Sequence, residues 1–368
     1  MNDIGRALPQ TVLREATDRA LLDETIRQGR TTRVDLADAT GYSRPTVSEA
    51  VRRLVANGLL DATGLKATGK RGRVGTFYSL GAQAGWALAL EVSQAGVRAR
   101  ATDLGGTVLQ ETSRPPVRPG DSAGLVTSIR GVVAGAAGGE GPLRAVGVSI
   151  ANPVDPASHA VVPLLGTPFP EGLVSPAEMI RDLVPAPVLV DNDVNLAALA
   201  EHRLGRAAGE SSFAYVYVGA GLGVGLYIGD QLIRGAHGLA GEIGYLPGVV
   251  SPTLAGDLAA NGFGRSDAPS NDVAAVLALL DGADADALGR LAEAVARAIV
   301  SVAAVVDPSL FLLGGPVGTH PALLSRVRER ISFPGPTRVD QGELGADAPL
   351  HGAVQMAIEH ARAAAVSV

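Results

Sequence analysis

Residues 33–57 read RVDLADATGYSRPTVSEAVRRLVAN, two short amphipathic segments either side of a Gly-Tyr pair. In the first, Arg33 to Thr40, Val34, Leu36 and Ala37 form an apolar side. Gly41-Tyr42 makes the turn, and Ser43 is a suitable N-cap for a helix from Arg44 to Asn57. Pro45 falls in the first turn, where its missing N–H leaves no bond unmade. Val47, Val51 and Leu54 recur at i, i+4 and i+7 and face inward. Arg44, Thr46, Ser48, Glu49, Arg52 and Arg53 are left outward. A helix pair with a short turn and an Arg-rich outer face on its second helix is a helix-turn-helix arrangement. Arg44 is expected to read guanine, and Thr46 and Ser48 base edges or a thymine methyl. Arg52 and Arg53, further along, are placed for phosphates.

The flanks agree with this reading. Thr17 to Gly29 is a helix with Ala20, Leu21, Leu22 and Ile26 on one side. After Gly58-Leu59-Leu60, residues Gly64 to Gly75 carry Lys66, Lys70, Arg71 and Arg73 among glycines, and a strand follows at Thr76 to Leu80. This predicts a β-wing whose Lys70, Arg71 and Arg73 meet phosphates or the minor groove. Residues 1–82 hold 13 basic and 9 acidic side chains, a net +4, whereas the remainder is −10. A basic head on an acidic body is the asymmetry of a protein in which only the head meets double-stranded DNA.

The body alternates strands and glycine-rich turns with helices, which indicates an α/β fold. Trp86 to Ala101 reads as a hairpin, Leu143 to Ile150 and Pro187 to Val190 as strands, and Leu196 to Leu204 as a helix. Phe213 to Val218 and Leu226 to Ile228 are strands around the turn Gly219 to Gly225; Leu288 to Val306 and Gly352 to Ala365 are helices. The chain has 0 cysteines, so disulfides and thiolate metal sites are excluded. No run of about 18 apolar residues appears, so no membrane helix is expected. Met1 to Gln10 has no apolar signal core, and a cytoplasmic location is the expectation.

Five segments, four in the body and one in the head, resemble the ROK family (repressors, open reading frames and kinases), built on the actin-like, hexokinase ATPase fold. They are GVSIANPVD (147–155), DNDVNLAALAE (191–201), the glycine-rich VGAGLGVGLYIGDQLIRGAHGLAGEIGY (218–245), DPSLFLLGG (307–315) and, in the head, GKRGRVG (69–75), which resembles the wing of the repressor branch. The resemblance spans nearly the whole chain. It implies a winged helix-turn-helix over residues 1–82, one lobe over 83–190 to which a helix of about 352–368 returns, and a second lobe over 191–351. It implies dimers or tetramers, and a carbohydrate-like effector held by Asn152, Asn192, Asp193, Glu242 and Tyr245.

Three departures point away from kinase activity. The family's phosphate hairpin DIGGTK stands here as Glu91-Val92-Ser93-Gln94, which lacks its glycines, Asp and Lys. Asp193, at the position of the family's base, is then vestigial, and no cofactor is expected. The family's zinc cluster has no counterpart between Leu246 and Gly264, and Tyr245 replaces its His, so no zinc is expected. The sugar-side loops differ too: PGP becomes Ala151-Asn152-Pro153, and PNLxGW becomes Pro163-Leu164-Leu165-Gly166-Thr167. The sequence therefore predicts a ligand-controlled DNA-binding regulator, a repressor. The alternatives are a sugar kinase with a DNA-binding head, and a regulator whose body binds a protein or nothing. On a plainer reading Asn192 and Asp193 merely cap the following helix.

Overall fold

The computed structural model describes residues 10–66, 75–265, 270–282 and 284–367. The head comprises α1 (Gln10–Gln28), β1 (Thr31–Thr32), α2 (Arg33–Thr40), α3 (Arg44–Ala56), β2 (Leu60–Lys66) and β3 (Gly75–Leu80). Its three strands form an antiparallel sheet in the order β1-β3-β2. α1 begins at Gln10 rather than Thr17. Its opening turns carry exposed Val12 and Leu13 and lack the inward periodicity that marks the rest. Thr32 and Asp35 form a reciprocal capping box on α2, and Gly41, at φ 73°, ends it in the left-handed region where glycine is unstrained.

The first lobe contains β4 (Trp86–Ser93), β5 (Gly96–Asp103), β6 (Val108–Arg114), α4 (Ser122–Ala134), β7 (Leu143–Ile150), α5 (Pro176–Ile180) and β8 (Val188–Asn192). Its sheet runs β6-β5-β4-β7-β8; β4, β5 and β6 are antiparallel, and β4, β7 and β8 parallel. After α6 (Asp193–Leu204), the second lobe contains β9 (Ser212–Val218), β10 (Leu222–Ile228), β11 (Gln231–Ile233), α7 (Leu254–Leu258), α8 (Val273–Asp281), α9 (Ala285–Val306), β12 (Leu310–Gly314), α10 (Gly315–Gly318), α11 (Pro321–Arg330) and β13 (Val339–Gln341). Its sheet, β11-β10-β9-β12-β13, repeats the strand order and directions of the first. The central strands β4, β7 and β12 are covered on both faces and read as near-continuous apolar runs, whereas the edge strand β6 is largely exposed.

The last helix, α12 (Ala348–Val366), packs on β4 and β7 of the first lobe, on α6 and on α1. Small residues permit this closeness: a Cβ on Gly352 would lie 2.0 Å from the Leu196 carbonyl oxygen, and one on Gly147 2.4 Å from that of Ala353. One continuous apolar cluster therefore runs from Leu21, Leu36, Val47 and Leu54 of the head through Ala357, Ile358 and Ala361 of α12 to Leu196 and Leu199 of α6. Polar ties reinforce the junction. Arg362 donates to the Leu104 carbonyl at 2.7 Å and to Asp23 at 3.3 Å, and Arg19 donates to the Glu359 carbonyl at 3.1 Å.

Candidate DNA-reading face and effector cleft

On α3, Val47, Ala50, Val51 and Leu54 are buried, which fixes the opposite face. The Ser43 hydroxyl accepts from the Thr46 N–H at 3.3 Å as N-cap. Arg44, Thr46, Ser48 and Arg52 are exposed along the outer surface, and among the described residues Arg52 has only an exposed 3.5 Å contact with Glu49. An exposed pair of that kind holds its arginine weakly and leaves it available to a phosphate.

Arg53 departs from the expectation. It turns inward, and both its Nε and Nη2 donate to the carboxylate of Asp18 on α1, which is 5% exposed. Its neighbours Ala50 and Leu54 bury that edge of α3 against α1, so Arg53 ties the helices together rather than standing free for a phosphate. Lys70, Arg71 and Arg73 lie outside the described residues. Sequence reasoning passed over Arg30 and Arg33. The Arg30 guanidinium lies 4.1 Å from the Phe77 ring centroid, and that of Arg33 5.1 Å from Tyr78, so both brace the base of the wing.

Between the lobes lies a cavity of about 450 Å³. β8 delivers Asn192 to its floor, and Asp193 opens α6. Asp191 is buried and paired with Arg234 at 2.7 Å, which joins the first lobe to the segment after β11. The Asn192 amide is fully committed. Its oxygen accepts from the Val194 and Asn195 N–H groups, and its nitrogen donates to the Asn152 carbonyl and to Asp193 Oδ1. Asn152 is likewise used within the fold: its oxygen accepts from the Thr167 hydroxyl, and its nitrogen donates to the Phe169 carbonyl. Both asparagines line the cavity, yet their side chains hold the cleft in shape; the helix-capping reading applies to Asn192.

Asp193 and Glu242 differ from them. Asp193 Oδ1 accepts from Asn192 and the Val194 N–H, while Oδ2 has no partner among the described residues. Burial, with lesser contributions from the nearby Glu91 and Glu242 charges, pushes its carboxyl up to about 7. The Glu242 carboxylate makes no hydrogen bond among the described residues, and burial pushes it up to about 7 as well. It is positioned by Gly241, at φ 90°, whose Cβ would stand 1.8 Å from the Val224 carbonyl oxygen. Tyr245, half-exposed, donates from its hydroxyl to the Leu165 carbonyl at 3.0 Å and so bridges the two lobes across the cleft.

At the β4–β5 hairpin, Glu91 is 8% exposed and paired with Arg98, which also pairs with Asp347 ahead of α12. Gln94 donates to the Pro168 carbonyl at 3.1 Å. Opposite, the Tyr217 side chain lies where Cβ atoms on Gly219 or Gly315 would fall, within 2.5 Å and 2.7 Å of its ring and hydroxyl atoms. In the segment 246–264, Asp257 accepts from the N–H groups of Val249, Val250 and Ser251 at 2.6–3.0 Å and from Arg297 at 3.3 Å. One buried carboxylate thereby organises that loop.

Comparison with known proteins agrees with both halves. Residues 14–61 match the winged helix-turn-helix DNA-binding family and residues 87–254 the ROK family. The chain is 33% identical over 185 residues to the bifunctional enzyme NanE/NanK of Brucella suis, covering 47% of this chain and 35% of that one. It is 24% identical over 243 residues to the xylose repressor of Bacillus subtilis, covering 64% and 62%. The chain thus spans about a third of the length of the first relative and about three-fifths of the second. Among solved structures, a ROK family transcriptional regulator homologous to E. coli Mlc superposes with a TM-score of 0.73 at 18% identity, over 96% of this chain and 99% of that one. A ROK glucokinase from Streptomyces griseus, in complex with glucose and AMPPNP, superposes with a TM-score of 0.58 at 22% identity, over 75% and 100%. The head with its helix-turn-helix, the two like-ordered sheets and the family matches together give this chain a ROK family domain, matched over residues 87–254, behind a winged helix-turn-helix DNA-binding domain, matched over residues 14–61.

Proposed function

We propose that the protein is a sequence-specific DNA-binding transcription regulator, a repressor, whose ROK domain senses a carbohydrate-like effector and transfers no phosphate. The observation that carries this reading is the outer face of α3, where Arg44, Thr46, Ser48 and Arg52 are exposed on a helix held rigidly from behind. Bidentate arginines and short hydroxyl side chains are suited to base edges, and a flanking arginine to phosphate. The partner is a double-stranded operator, met in the cytoplasm by a homodimer or homotetramer that reads two half-sites. The similarity to the xylose repressor supports the repressor assignment.

The effector is placed in the cleft, on Asp193 and Glu242, with Tyr245 at the mouth. α6 starts at Asp193 and packs on α12, which packs on α1 of the head. A ligand that binds one lobe arrangement better than the other shifts the heads through that chain of contacts. The absence of catalysis is supported by the β4–β5 hairpin, where the Glu91–Arg98–Asp347 ion pairs and Gln94 stand in place of a glycine cradle. Tyr217, packed over Gly219 and Gly315, crowds the facing turn. These residues do not fit a triphosphate, which needs close backbone N–H groups and room for its oxygens.

The decisive experiment maps the genomic fragments retained by the purified protein and measures binding to them against salt. Tight, fragment-specific binding is expected; equal affinity for all fragments would refute the proposal. One observation favours the second reading, a sugar kinase: Asp193 keeps an unpartnered oxygen and a near-neutral carboxyl, as a general base toward a hydroxyl requires. ATP-dependent sugar phosphorylation that disappears in Asp193→Asn would establish it; none is expected.

A further inference from the structure

Resting on the reading of the ROK domain as a sugar sensor, we infer that the effector is an amphipathic glycoside, with its sugar ring at Asp193 and Glu242 and an apolar aglycone against a wall formed by Leu164, Leu165, Leu222 and Ala255. The first argument is a hydrogen-bond inventory of the cavity. Asn192, Asn152 and Thr167 spend their side-chain groups on one another and on the backbone. Among the described residues of the cleft floor this leaves Asp193 Oδ2 and the Glu242 carboxylate as side-chain oxygens without a hydrogen-bond partner facing the cavity. Two carboxyl groups can hold the hydroxyls along one edge of a sugar, but not those around a whole ring.

The second argument is the wall. Leu164, Leu165 and Pro168 line it from the first lobe, and Leu222, Ala255 and Ala259 from the second. A free sugar carries hydroxyls around its whole ring edge, and those along an edge turned to an aliphatic wall would lose their water without replacement, a cost of roughly 1–3 kcal/mol each. An apolar substituent reverses the sign of that contact. The far rim is polar, but the Asn271 side chain there donates to the Gly219 carbonyl at 2.9 Å and is spent on the β9–β10 turn.

The third argument is size. The cavity, about 450 Å³, has room for roughly fifteen waters at their share of the liquid, more than one sugar ring displaces. Leu165 also lines the cavity; it is 97% exposed, and its carbonyl accepts from the Tyr245 hydroxyl that bridges the lobes. An aglycone directed there would lie between the lobes and bear on the hydrogen bond that joins them.

The test uses the full chain and calorimetric titration with glucose and xylose as free sugars and as their methyl, butyl and phenyl glycosides in both anomeric forms. Affinity is expected to rise with the aglycone, roughly fourfold for each CH2 that becomes buried, so that butyl and phenyl glycosides of one sugar bind at least tenfold more tightly than its methyl glycoside. Leu164→Asn should abolish that gain while leaving the free-sugar or methyl-glycoside affinity within about twofold. Affinity that is flat or falls with aglycone size overturns the inference and leaves the sugar-sensing reading in place. Absence of binding by every sugar and glycoside overturns both, with fragment-specific DNA binding unaffected.

Discussion

Arg52 and Arg53 are adjacent in the chain and face different surroundings. Arg52 is exposed beside Glu49, whereas Arg53 donates to the buried Asp18 through two nitrogens. Removing Arg53 leaves a desolvated carboxylate unpaired, so Arg53→Ala should lower unfolding stability by about 3 kcal/mol. Arg52→Ala should change stability by less than about 0.5 kcal/mol and weaken operator and non-specific DNA alike. Arg44→Ala should instead lose discrimination, about 1–3 kcal/mol at one base pair. Urea unfolding and competitive gel shifts separate the three; a stable Arg53→Ala protein with unchanged folding would remove the assigned role. Asp193 and Glu242 make a second case at this scale. Their folded-state carboxyls are raised to about 7 from 3.8 and 4.5. Because the folded form holds these protons more tightly than the unfolded chain, their contribution is fully present below about pH 4 and is lost as pH rises through 7. Relative to the wild type, an Asp193→Asn, Glu242→Gln double variant should therefore gain stability on the order of 5 kcal/mol between pH 5 and pH 8 in the absence of ligand. Parallel pH–stability curves for the two proteins would contradict that assignment.

Among elements, the structure has little tolerance where α6 passes between its neighbours. A Cβ at Gly352 would sit 2.0 Å from the Leu196 carbonyl oxygen, and one at Gly225 2.7 Å from the Ala198 Cβ. Gly352→Val should force α12 off α6 at a cost of about 3 kcal/mol, with loss of DNA binding at physiological temperature; a variant as stable as the wild type in thermal unfolding would show that the interface yields. These elements were legible in the sequence to different degrees. The helix pair around Gly41, the strand β7 and the resemblance to ROK proteins could be read directly, because periodicity and glycine placement are local properties; the turn read as Gly219 to Gly225 is shorter, since Leu222 to Gly225 already pair with β9 as the start of β10. What lies over each face is not local. The stripe of Val47, Val51 and Leu54 says that Arg53 flanks the core, but not that Asp18 waits there from α1. The hairpin at Glu91 reads as a lost phosphate cradle, yet its closure by Arg98 and Asp347 depends on residues far along the chain. Asn192 was legible as a polar cleft residue, but its four committed hydrogen bonds emerge only once β7, β8 and α6 converge.

For the molecule as a whole, the charge asymmetry and the shared core make a single argument. The head carries +4 and the body −10, so duplex DNA is attracted to one end and repelled by the other. The apolar cluster that runs from α3 through α12 to α6 joins the head to the ROK domain without a polar break, and Arg362 and Arg19 pin the same junction. A head attached this firmly does not swivel independently, so two copies in an oligomer present their α3 helices at a separation set by the bodies. That rigidity makes operator geometry a readout of assembly. Starting from a mapped operator, insertion of about 5 bp between its half-sites should place them on opposite faces of the duplex and abolish high-affinity binding, and insertion of about 10 bp should restore the facing but not the distance. With rigid heads the longer insertion also fails, and affinity falls to that of a single half-site in both cases. If binding recovers at about 10 bp, the heads reach on flexible connections, and effector-driven movement of α12 cannot set their spacing.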